Sequence, residues 1–345
     1  MRVPCEAGRM PINCGWPGRL LTLLLFAGAT AGVSAATSLR QDEGFEAGRQ
    51  AYEASDYSKA AQLLQEAAAK NPTNAEIYLL LAKTYSETQQ HDAAIASAER
   101  AVELDPQNSL YHEWLGRAYG GKAEHAGIFS GLSLAKKTRK EFETSVRLDE
   151  KNFSARQALI EYDCSAPGIA GGGEDKARPQ IAKLAELDAS EGYYAAGNCR
   201  RQKKDFAVAD AEFTKALENH PKSANLIYDI GDYAMKHSQA DRLTAVASAG
   251  EKVAPGDPRG KFYRAVALIL TNKKDADAEP LLREYLKSAP VRSGYPRPWE
   301  AHEWLARWYE NQGKTQSAIG EYQATLKLNS KNKSASDALK RLEKH

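Results

Sequence analysis

Net charge, cysteine and long apolar runs are what this chain has least of, and each shortage closes off a class of function. Its 345 residues carry 47 lysines and arginines against 45 aspartates and glutamates. A nucleic-acid binder needs net or clustered positive charge to displace counterions. The one basic run here, Lys136, Lys137, Arg139 and Lys140, runs straight into Glu141 and Glu143 and reads as a solvated helix face. Nucleic acid is therefore not an expected partner. Four cysteines are present, and His91, His125 and His220 have neither a cysteine nor a spaced histidine beside them to complete a metal site. Alternating runs rich in Val, Ile or Thr are missing throughout, which excludes a sheet protein. The only long apolar run is Leu20–Ala27, LLTLLLFA. Arg2, Arg9 and Arg19 precede it, and small residues ending in Val33-Ser34-Ala35 follow. This order predicts a secretory signal peptide over 1–35, cleaved after Ala35. An uncleaved anchor is the alternative, for which the run is short. Met10 competes with Met1 as the start. Cleavage removes three arginines and Glu6, leaving 44 charges of each sign and a mature chain with no membrane insertion. Its expected location is exported, in the periplasm.

What is present is a repeated helical pattern. In Ala75–Pro106, residues Tyr78, Leu81, Ala82 and Tyr85 fall at i, i+3, i+4 and i+7, one face of a helix. Ala94, Ala98 and Ala101 give a second helix a small-residue face, and Pro106 ends it. A lone hairpin of this kind cannot bury its apolar face without stacked neighbours. The stretch resembles the tetratricopeptide repeat, patterned W-x2-L-G-x2-Y, A-x3-F and P. That resemblance implies an all-α, right-handed α-solenoid of about eight helix–turn–helix repeats, near 41–74, 75–108, 109–152, 153–189, 190–223, 224–257, 259–292 and 299–332. A capping helix would cover 333–345. The third unit shows Leu115, Gly116 and Tyr119, and the fifth shows Gly197, Ala209, Phe213 and Pro221. The register puts Cys164 and Cys199 near the ends of adjacent first helices. A disulfide between them needs Cα atoms within roughly 7 Å, whereas neighbouring helix axes lie about 8–10 Å apart. Bridge and buried thiols both stay open.

Two units are longer than the repeat. About ten residues are inserted after Tyr119, within Gly120–Ala135, so the second helix of that unit is expected from Thr138 to Leu148. The insertion's Ile128, Phe129, Leu132 and Leu134 either tuck onto the solenoid or form an exposed patch for a partner. The other insertion is the loop Pro167–Gly173, with Pro167, Gly168 and Ile169 at its tip. A phosphate-binding reading of it fails: no Gly-Lys-Ser/Thr ends it, and Glu174 and Asp175 open the next helix. A wide glycine turn or a shaped contact loop remains. The loop is similar to a PGI-GGG loop that recurs in exported bacterial tetratricopeptide proteins. Both insertions should emerge on one edge and touch, 124–134 against 165–174.

His112-Glu113-Trp114-Leu115 and His302-Glu303-Trp304-Leu305 echo each other, each with an Arg two places on. A second histidine at metalloprotease spacing is missing, so His112 and His302 read as packing residues. No Gly-x-Ser-x-Gly elbow is present. Neither a catalytic site, nor a metal site, nor a cofactor is expected.

The resemblance implies a non-enzymatic scaffold that binds a peptide or protein segment in its concave groove. The alternatives are a factor bracing a cell-envelope complex and, third, a glycan-binding accessory. The oligomeric state is left open. In the family the groove is made by the fifth, ninth and twelfth positions of each first helix. Those positions supply Tyr194, Tyr228 and Tyr263 as a ladder, with Asn198, Arg201 and Asp232 beside it. The rings either face the groove, half exposed, or pack between first helices. Binding of free carboxylate tails is not expected, because Tyr194 stands where the family has Lys and Asp229 where it has Asn.

Overall fold

The computed structural model describes residues 43–271 and 275–343. The signal peptide, the two candidate starts and residues 344–345 of the capping segment lie outside the described residues. Helix follows helix: α1 at 43–53, α2 (Tyr57–Lys70), α3 (Ala75–Glu87), α4 (His91–Leu104), α5 (Ser109–Ala123), α6 (Ile128–Leu148), α7 (Phe153–Ser165) and α8 (Glu174–Leu187). They continue as α9 (Ala189–Gln202), α10 (Phe206–Glu218), α11 (Ala224–Lys236), α12 (Ala240–Val253), α13 (Pro258–Thr271), α14 (Ala278–Ser288), α15 (Pro298–Asn311), α16 (Thr315–Leu328) and α17 (Lys333–Leu342). Among the described residues there is no strand. Sequence neighbours pack on one another. First helices also touch the next first helix, α3 on α5, α7 on α9 and α11 on α13. The chain is thus an α-solenoid of eight helical hairpins closed by α17.

The hairpins are built from local signals. Asn74, Asn108, Asn152, Asp188, Ser223 and Asn332 cap successive first helices and α17, each accepting a bond from an N–H of the first turn. Within five hairpins one residue with positive φ precedes the second helix's N-cap: Ser55, Gln89, Lys204, Ser238 and Gly313. This left-handed step reverses the chain in the fewest residues, and four of the five positions accept it without glycine. Phe142 and Phe213 press on Gly116 and Gly197, where a Cβ would lie 2.7 and 2.6 Å from ring carbons. Only a missing side chain allows that approach.

The first insertion is not a loop. The α5 helix continues to Ala123, and α6 starts at Ile128, ten residues before the expected Thr138. Leu134 draws the added turns onto the core of the first three hairpins. Gly120, Gly121 and Gly131 did not break these helices because neighbouring helices supply the packing that glycine lacks.

Apolar packing is uneven along the stack. One large cluster joins hairpins five to eight and α17, a second joins hairpins one to three, and between them lie only two small clusters. Polar and covalent links hold this middle. Ser109, Ser145, Asn152 and Glu113 form a buried bonded group. Arg139 Nε donates to Asp163 Oδ1 at 2.8 Å. Cys164 and Cys199 are disulfide-bonded, with Cα atoms 5.4 Å apart, joining α7 to α9. Ala177 and Ala195 pack with both cysteines in one small apolar cluster. The bridge closes a loop across a sequence separation of 35 residues. Replacing both cysteines by alanine is expected to lower unfolding stability by about 2–4 kcal/mol, read by urea unfolding. Two free thiols in the unreduced protein would overturn the bridge.

The stack also returns on itself. Ser293, in the connector between α14 and α15, donates through Oγ to Glu87 Oε2 of α3 at 2.9 Å, across 206 residues of sequence. The connector is seated by Arg259, whose guanidinium lies 4.4 Å from the ring centres of both Tyr228 and Tyr295 and donates to Gly294 O at 3.0 Å.

Candidate functional site

Charged side chains on the first helices of non-adjacent hairpins share one surface, near enough to act on one another. Asp229 of α11 acts on Glu161 of α7, and Asp232 of α11 acts on Glu300 of α15. Glu161 is solvent-exposed, yet its carboxyl is pushed above its ordinary value because surrounding protein thins the water around it. Arg201, Arg117 and Glu124 also act on it. Asp232 and Glu300 are raised for the same reason, desolvation, against Tyr263's hydroxyl and the Arg297 backbone N–H respectively. Arg201 approaches Asp229 to 3.7 Å. At the other end, Lys83 stands 5.0 Å and Arg117 5.7 Å from the centre of the Trp114 ring. The surface can hold a polar, charged segment by hydrogen bonds and ion pairs.

The tyrosine ladder is not part of that surface. Tyr194 is 8% exposed, and Tyr228 and Tyr263 are 1% exposed each, so the expected half-exposed rings are corrected. Each is covered by its own hairpin and by an adjacent one. Tyr228 and Tyr263 stack at 5.6 Å, and Tyr194 lies against Phe213. Tyr194 donates to Asp229 Oδ2 at 2.7 Å and Tyr263 to Asp232 Oδ1 at 2.6 Å. Burial with the hydroxyl satisfied costs little, and it fixes both acids in place. Of the six expected groove residues, Asn198, Arg201 and Asp232 remain partly accessible. Trp114, Lys83 and Glu161 were missed.

The repeated His-Glu-Trp-Leu segments are one module used twice. His112 Nδ1 meets Glu141 Oε2 at 2.6 Å, and His302 Nδ1 meets Glu321 Oε2 at 2.6 Å. The bond to Glu141 raises the His112 pKa. Glu113 and Glu303 accept from Asn152 and Asn332, the caps of the following helices. Arg117 and Arg307 donate to Ser154 and Ser334. The sequence signal was a second echo, Lys-Asn-x-Ser-Ala at 151–155 and 331–335. Both histidines are packing residues that lock one helix to the next.

At the insertions, Ile128 and Phe129 are 88% and 90% exposed and do not tuck in, while Leu134 does. Pro167, Gly168 and Ile169 are exposed at the tip of the glycine loop. That loop is firmly built: Tyr162 donates to Ala170 O at 2.6 Å and Gly173 N–H to Asp163 O at 2.8 Å. A Cβ on Gly172 would sit 2.1 Å from Ala166 O. Where α6 approaches the loop, Arg139 Cδ faces Gly171, beyond the 124–134 stretch expected to make the contact.

One buried acid has a measurable signature. Glu191, 8% exposed, has its carboxyl pushed up to about 7 by burial, then by Asp188, while Gln157 donates to it. The native state then holds this proton more tightly than the unfolded chain. Stability is greatest below the unfolded value near 4.5 and falls as pH rises toward 7. Glu191→Gln is expected to stabilise the protein at pH 8 by up to about 3 kcal/mol and to flatten that pH dependence. Urea unfolding at several pH values checks both; an unchanged slope sinks the assignment.

Tetratricopeptide-repeat family models match residues 51–117 and 276–333. Anaphase-promoting complex subunit 7 of Arabidopsis thaliana is 24% identical over 328 residues, which is 84% of this chain and 54% of that protein, so the chain spans about half its length. Two solved structures are similar. A thermophilic TPR protein of Thermus thermophilus has TM-score 0.45 and 20% identity, over 54% of this chain and 94% of that one. A chain of the Cut9–Hcn1 hetero-tetramer of the APC/C has TM-score 0.48 and 15% identity, over 90% of this chain and 58% of that one. The repeats recognised at 51–117 and 276–333 are tetratricopeptide repeats.

Proposed function

We propose that this chain is a non-enzymatic scaffold of the exported, periplasmic compartment that holds an extended, polar segment of a partner protein across its concave face. Tetratricopeptide-repeat proteins generally mediate protein–protein contacts, which sets the class. The observation that carries the finer reading is the convergence of Glu161, Arg201, Asp229, Asp232 and Glu300 from α7, α9, α11 and α15 on one surface. Glu161 is exposed and the other four are partly accessible, so a partner's charges can reach them. Export rests on the leader pattern at 1–35. Capture from an envelope fraction with immobilised protein, followed by mass spectrometry, tests the reading. The variant Arg201→Ala/Glu161→Gln is expected to lose the captured partner while keeping its thermal midpoint. Equal capture by both proteins would move the site off the groove and favour a bracing role through the outer helices.

A further inference from the structure

We infer that the tip of α6 docks on an anionic phospholipid surface. Ile128 and Phe129, at the start of that helix, are 88% and 90% exposed, nearly as open as in an unfolded chain. At that exposure they protrude as a convex spike. Such a spike does not offer the broad complementary patch a protein partner needs, but it suits a deformable lipid interface. Charge supports the choice. In a chain with almost balanced charge, 126–140 holds no carboxylate and four bases, Lys136, Lys137, Arg139 and Lys140. At 3.6 residues per turn, Phe129, Ser133, Lys136 and Lys140 share one face, and all four are exposed. The rise puts Lys136 and Lys140 about 10 and 16 Å behind Phe129, so apolar side chains would enter first and ammonium groups would meet the phosphates. Of the two acids nearest in sequence, Glu141 is bonded to His112, and exposed Glu124 is the one carboxylate near the tip, set against the three lysines. Arg139 is held by Asp163 and is not available. Such docking is peripheral; among the described residues no helix is long and apolar enough to cross a membrane.

The test is sedimentation of the full chain with phosphatidylcholine vesicles, with and without phosphatidylglycerol. Binding is expected only with the anionic lipid and should weaken with salt. Ile128→Ser/Phe129→Ser should bind at least about tenfold more weakly, and Lys136→Ser/Lys140→Ser about thirtyfold. Both sets are exposed, so helix content should not change. A local readout separates the tip from the apolar run at 20–27: Phe129→Trp should gain fluorescence that brominated lipid quenches, relative to wild type. No quenching of that added tryptophan overturns the proposal. So does concentration-dependent self-association, in vesicle-free solution, that the double serine variant abolishes.

Discussion

Arg139→Ala is expected to cost about 3–5 kcal/mol of stability, the range for stripping one partner from a buried ion pair. Asp163 is 1% exposed, and burial already pushes its carboxyl above the ordinary value even with the guanidinium beside it. Arg139 reaches it with Nε at 2.8 Å and Nη2 at 3.5 Å. Without that partner the carboxylate is left charged in a site with little water. The loss should shrink as pH falls, because a protonated Asp163 no longer needs the cation. Adding Asp163→Asn to the alanine variant should recover part of the loss. Urea unfolding of the two variants decides the point: if they are equally unstable, the cost is packing and not charge.

Tyr228→Ala should be comparably damaging, about 3–5 kcal/mol, as for a large ring removed from a core. The ring sits between Tyr263 and the Arg259 guanidinium, and its loss frees the arginine that seats the connector. Tyr228→Phe should behave in the opposite way. The hydroxyl is buried with no hydrogen-bond partner, so removing it should be neutral or stabilising by up to about 1 kcal/mol. Thermal unfolding separates the cases. An alanine variant that melts with wild type would return the ring to the groove surface.

That tyrosine also marks where the sequence stopped being readable. Hairpin spacing followed from alanines, glycines and prolines at 34-residue intervals, because those residues act within one helix pair. Whether a ring at the fifth position is covered depends on how closely the partner helix and the adjacent hairpin approach it. The cue was present in glycine: a Cβ on Gly250 would lie 2.4 Å from the Tyr228 hydroxyl, and one on Gly231 2.9 Å from the Tyr263 ring. Both rings fill space those glycines leave. The disulfide was half legible for the same reason. Register placed Cys164 and Cys199 on adjacent first helices, but a generic axis spacing left the bridge undecided. The early start of α6 was hidden by Gly127 and Gly131, which signal a break in a sequence window and are overridden by Leu134's packing. Surface charges such as Glu161 could not be placed from sequence, since they act on residues two hairpins away.

The bond from Ser293 to Glu87 changes what kind of polymer this is. A stack with contacts only between neighbours unfolds like a zipper, opening from either free end. Here the connector between the seventh and eighth hairpins rests on the second, and Arg292 lies close enough to Tyr52 and Tyr57 of the first hairpin for its charge to act on both. Fraying at one end therefore removes a support from the other. Amide hydrogen exchange in α1–α2 and in α15–α16 should rise and fall together, and Glu87→Ala should uncouple them. The first and last hairpins would then open together, as the ends of a clasped bracelet do.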